Sequence, residues 1–111
     1  EINGDWNSYC GNCDPLSDPD GDNIWETTIT LLSGSYEYYF TADNILFEET
    51  LSPNETCTNG NPNATRRVVS ISNQNIILPT VCWSSCSECN DFPLKNLTIY
   101  NHIYCQYFFL N

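Results

Sequence analysis

Ile24-Trp25-Glu26-Thr27-Thr28-Ile29-Thr30-Leu31-Leu32, followed past Ser33-Gly34 by Ser35-Tyr36-Glu37-Tyr38-Tyr39-Phe40-Thr41, is the stretch that decides the fold class. Both runs keep a period of two. Trp25, Thr27, Ile29 and Leu31 share one face of the first run. Tyr36, Tyr38 and Phe40 share one face of the second, with Glu37 and Tyr39 opposite. Such alternation, dense in β-branched and aromatic residues, marks half-buried strands, and Ser33-Gly34 is a tight-turn signal. The spacing predicts a β-hairpin in which Trp25, Ile29 and Leu31 pack against Tyr36, Tyr38 and Phe40. Burying each large side chain stabilises by roughly 1.5–3 kcal/mol.

Outward from this stretch the pattern stays β. Residues 1–23 are rich in Gly, Asn, Asp and Pro and read as loop. Ile45–Leu51 reads as a third strand, and Ser52–Thr65 as a polar loop. Arg66–Ile71 and Asn75–Val81 read as later strands, Cys82–Asn90 as a cysteine-rich knot, and Leu97–Leu110 as strongly β-prone. No segment carries a 3.6-residue period. The expected class is all-β, an immunoglobulin-like β-sandwich stapled by disulfides, with an extra C-terminal strand-forming tail. Residues 1–90 form the expected module and 91–111 the tail.

Composition narrows the setting. The 111 residues carry 3 Lys+Arg against 14 Asp+Glu, a net charge of -11. A chain this acidic repels polyphosphate and anionic membrane surfaces, which excludes nucleic-acid binding. At 41% hydrophobic and 14% aromatic it is nevertheless equipped to collapse, unlike an acidic disordered tail. Seven cysteines imply an oxidising compartment. The sequons at Asn54, Asn63 and Asn96 fit a secreted or cell-surface chain. The first residue is Glu1 and no signal peptide is visible, which reads as a processed form. Ile103–Leu110 is too short to span a bilayer.

Gly4-Asp5-Trp6-Asn7, Asp20-Gly21-Asp22-Asn23-Ile24-Trp25-Glu26 and Gly34-Ser35-Tyr36-Glu37-Tyr38-Tyr39-Phe40 together resemble the frame of glycogen- and starch-binding modules with an immunoglobulin-like sandwich. With Cys10-Gly11-Asn12-Cys13 and Cys82-Trp83-Ser84-Ser85-Cys86-Ser87-Glu88-Cys89, the chain resembles more closely the cysteine-containing modules of secreted polysaccharide-degrading proteins of marine bacteria. The resemblance covers about residues 3–89. It implies carbohydrate recognition by stacked aromatics. This chain places Tyr9 and Tyr39, and Leu46 or Phe47, where starch-binding relatives carry Trp, Lys and Trp. Tyr9 and Tyr39 are the stacking candidates, because Tyr also presents an apolar ring face to a pyranose.

The same resemblance implies one or two strands before Gly4, where only Glu1-Ile2-Asn3 stand, and nothing after Cys89, where 91–111 follow. The tail therefore has the length of the vacancy. Its apolar residues Ile99, Ile103, Tyr107, Phe108 and Leu110 would otherwise lie in water. It is expected to complete a sandwich, either its own or that of another copy, with exchange between copies favoured as in donor-strand complementation.

Cys10, Cys13, Cys57, Cys82, Cys86 and Cys89 are expected as disulfides, whose 15 pairings the spacing does not separate. Cys105 is left over, free and buried or bridging chains. Zinc knuckles at Cys10-x-x-Cys13 and Cys86-x-x-Cys89 fit a secreted acidic chain poorly, and a thioredoxin-like site lacks its helix at Asp14-Pro15. Asp18, Asp20 and Asp22 match the start of a calcium loop, with Asn23 at the sixth position, but the twelfth position is Ile29 rather than Glu. A solvated acidic turn entering the Trp25 strand is the favoured account of them, so calcium is optional and no cofactor is required.

Catalysis has little to stand on. His102 lies in the apolar tail without a nucleophile, and Glu48 and Glu49 fall on opposite faces of a strand. The expectation is a non-catalytic secreted structural subunit that self-associates through the tail, into a filament where the rotation does not close. The alternative is a carbohydrate-binding accessory module that uses Tyr9 and Tyr39.

Overall fold

A computed structural model of the chain describes residues 1–88 and, as backbone, residues 105–110. Seven strands follow in order: β1 (Ile2–Gly4), β2 (Ile24–Ile29), β3 (Gly34–Ala42), β4 (Phe47–Glu48), β5 (Arg67–Ile71), β6 (Ile76–Cys82) and β7 (Cys105–Leu110). A 3-10 turn, Asp5–Asn7, follows β1. The described residues are all-β and carry disulfides, and they contain no helix long and apolar enough to cross a membrane.

The strands form two sheets. In the first, β3 is the spine. Tyr38 pairs with Gly4 of β1 on one edge and with Arg67 of β5 on the other, and β4 continues the second edge at Thr41 and Ala42. In the second, β7 lies between β2 and β6, parallel to β2 and antiparallel to β6. Pro79 explains an irregularity in β6, whose register shifts between Leu78 and Val81. Proline cannot donate to a ladder, so it is tolerated on an edge strand at a bulge.

One apolar cluster joins the sheets. Ile2, Tyr38, Phe40, Val69 and Ile71 come from the first and Ile29 from the second, with Ile76, Leu78, Val81 and Trp83 packed around them. β5 shows how the pattern reaches this core, since Arg67, Val69 and Ile71 are buried while Val68 and Ser70 are exposed.

The structure corrects four sequence expectations. β2 and β3 do not pair as a hairpin, because residues 30–33 carry the chain from one sheet to the other. Alternation tells which face of a run is apolar, not which run lies beside it. The predicted faces of Ile29, Tyr38 and Phe40 do meet, but across the layers. Trp25 stays outside that cluster and is 38% exposed. Ile45–Leu51 shrinks to the two-residue β4, since Asp43, Asn44 and Ile45 all adopt positive φ (52°, 55° and 65°) and turn the chain there. Finally, Ile2–Gly4, read as loop, is a buried edge strand.

Candidate functional site

The N-terminal motif folds onto β3. Trp6 lies 6.0 Å from both Tyr36 and Tyr38, centroid to centroid. Its indole N–H donates to Asp14 Oδ2 at 2.9 Å, and the Asn7 amide donates to the same oxygen at 2.7 Å. Asn3 is fully buried with both ends of its amide used, donating to Thr41 Oγ1 and accepting from the Gly11 N–H. These bonds fix the loop that carries Tyr9.

Tyr9 and Tyr39 come together as a stacked pair, centroids 5.7 Å apart and planes 22° from parallel. The Arg66 guanidinium lies 4.2 Å from the Tyr39 centroid and 5.6 Å from that of Tyr9. Tyr39 keeps 8% of its surface, so a sugar ring would meet Tyr9 and Arg66 first. The Tyr9 hydroxyl donates to Asp5 Oδ1 at 2.8 Å. Burial, and then that bond, push its ionisation up to about 12. Leu46 and Phe47 are exposed beside the turn.

The cysteines bind the loops to the sheets. Cys10 pairs with Cys13, and Cys57 pairs with Cys86 across 29 residues. Cys82 is also disulfide-bonded. These sulfurs are thus held in disulfides rather than available as zinc thiolates. Cys89 lies outside the described residues, as do Asn96, Ile99, His102 and Ile103, while Cys105, Tyr107, Phe108 and Leu110 are described as backbone only. Sequon residues Asn54 and Asn63 are exposed in the loop between β4 and β5.

Asp18, Asp20 and Asp22 bring carboxylate oxygens within 4.8 Å of one another. Their own turn already uses several of those oxygens. Asp18 accepts from the backbone N–H of Asp22 and Asn23, and Asp22 accepts from that of Ile24. Asn23 adopts φ 68°, the left-handed geometry expected of it, while Ile29 at the twelfth position is buried in the core.

Sequence reasoning missed the most highly connected polar group. Glu49 and Arg67 form a buried ion pair, and Glu48 points elsewhere, accepting from the Tyr39 hydroxyl at 3.4 Å. The signal was available: Arg67 shares the inward face of β5 with Val69 and Ile71, where a cation requires an acid. The seat of the tail is the other assembled feature. β7 takes both open edges of the second sheet, pairing Cys105–Leu110 with Ile24–Ile29 on one side and with β6 on the other.

Comparison with protein-family models, with curated proteins and with solved structures finds no match to this chain.

Proposed function

We propose that this chain is a non-catalytic extracellular structural subunit that self-associates by strand complementation, copies exchanging the C-terminal strand. The observation that carries the reading is the position of β7. Among the strands of the described residues β2 and β6 pair only with β7, apart from local bridges of Glu26 to Ser17 and of Val81 to Glu88, so without β7 the second sheet has no continuous ladder. An unpaired strand exposes a row of N–H and C=O groups and recruits whatever strand is at hand.

Reach allows the exchange. Residues 89–104 join the Cys82–Glu88 segment to β7, and that many residues span about 50 Å when fully extended. The described residues extend 41 Å along their longest axis, so the same strand reaches its own sheet or a neighbour's. Exchange of an identical element is a low-cost route to dimers, and to filaments where the rotation does not close. The immunoglobulin-like likeness of the two sheets belongs to this reading, as do secretion and glycosylation at the sequons. Calcium at Asp18, Asp20 and Asp22 would stiffen the entry to β2 without being required.

The test is the mass of the full chain in solution as concentration rises. Growth beyond a monomer supports exchange.

A second reading, a carbohydrate-binding accessory module, is favoured by one observation: Tyr9 and Tyr39 lie together as a stacked pair. Titration with soluble oligosaccharides, on the native chain and on Tyr9→Ala, tests it.

A further inference from the structure

We propose that a cleft walled by Trp25 and Trp83 binds a small organic cation of the alkylammonium class. The cavity is open, with a volume of about 350 Å³. That lies at the lower end of the range for small-ligand pockets. Its walls come from separate parts of the chain. Leu16 precedes β2, Trp25 lies on β2 and Trp83 follows β6, while Glu1, Asp43 and Asn44 close the end nearest β3.

Charge chooses the ligand. Glu1 and Asp43 are both acidic and none of the described lining side chains is Lys, Arg or His, so two carboxylates stand against one cation, the α-ammonium of Glu1. The chain as a whole carries -11, so its field concentrates cations near such a cleft. Indole faces are the strongest aromatic partners for a cation, and carboxylates beside them complete the attraction.

The acidic wall is also fixed in place. Glu1 Oε1 accepts from the Asn44 backbone N–H at 3.0 Å and Oε2 from the Thr41 hydroxyl at 2.9 Å. The α-amino nitrogen of Glu1 is occupied in donating to Thr41 O at 2.7 Å. The adjoining turn holds Ile45 at φ 65°, a left-handed geometry that a β-branched residue adopts only under strain. Trp25 adds an independent pointer. Alternation places it in the core, yet it stands 38% exposed at this cleft, and departures from sequence logic concentrate at functional sites.

The experiment uses the full chain at low ionic strength, with choline as the cation and 3,3-dimethylbutan-1-ol as its uncharged isostere, followed by indole fluorescence and calorimetry. Choline should bind roughly tenfold more tightly than the isostere, as expected of a cation–π site. Trp25→Ala and Asp43→Asn should each weaken it roughly fivefold or more, on the same grounds, with thermal unfolding unchanged for Asp43→Asn. Equal binding of the isostere, binding unaffected by both substitutions, a neutral oligosaccharide preferred at this cleft, or no saturable choline binding would each overturn the proposal.

Discussion

Arg67 and Glu49 face each other inside the protein through two parallel bonds, Nε to Oε1 at 2.8 Å and a terminal nitrogen to Oε2 at 2.7 Å. Their side chains are 2% and 0% exposed. The pair also ties three segments together. Glu49 accepts from the backbone N–H of Phe40 and of Ser84, and Arg67 donates to the carbonyl of Ser85. The Arg67 guanidinium further lies 4.9 Å from the Phe40 ring centroid. One ion pair thereby holds β3, β5 and the Cys82–Glu88 segment in register.

Breaking either half should therefore be costly, because it strands a buried charge. Glu49→Leu or Arg67→Met should each destabilise by about 3–5 kcal/mol. The double variant Glu49→Leu, Arg67→Met should recover part of that loss. Urea unfolding of the four chains measures it, and additive single effects would exclude the coupling.

Tyr38 makes the fold sensitive to alkali. Burial chiefly, with Glu49 nearby and Arg67 opposing, raises its ionisation to about 12 from the usual 10.0. The folded state thus holds a proton that the unfolded state releases earlier. Its contribution is complete below pH 10 and is lost as pH rises through 12, to the extent of about 3 kcal/mol. Unfolding midpoints across that window should fall, and Tyr38→Phe should flatten the decline.

The two described disulfides should differ in worth. Chain entropy assigns about 3–4 kcal/mol to Cys57–Cys86, which closes a long loop, and about 2 kcal/mol to Cys10–Cys13, which closes a short one. Serine pairs at each site, compared by thermal unfolding, give the contrast. Equal losses would point to local packing instead of loop closure.

The strands around Ile29, Phe40 and Val69 were legible in the sequence because their apolar residues alternate cleanly. Their neighbours were not, since nothing in a period of two says that residues 30–33 cross between sheets. Ile2–Gly4 escaped notice because three residues are too few to show a period, and its pairing with Tyr38–Phe40 is set by distant chain. Tyr9 and Tyr39 were legible as a pair, but the approach of Arg66 was not. The Trp25 cleft was hidden altogether, since it depends on Trp83 and Asp43 arriving from far along the chain.

Salt should promote assembly. Each copy carries -11, and repulsion between such copies is screened beyond about 10 Å at 0.1 M ionic strength. Association measured by sedimentation should strengthen from low to moderate salt. A decrease would mean that the contact is electrostatic rather than a strand exchange.

Strand exchange through β7 is most directly tested by the light-scattering mass of the full chain from micromolar to millimolar concentration, beside a chain ending at Asn90. The full chain should grow from 12.7 kDa toward multiples of that mass, and the shortened chain should lose this ordered growth, remaining monomeric or aggregating without defined size. A full chain that stays at 12.7 kDa at every concentration would contradict assembly through the tail and leave the carbohydrate-binding reading in its place.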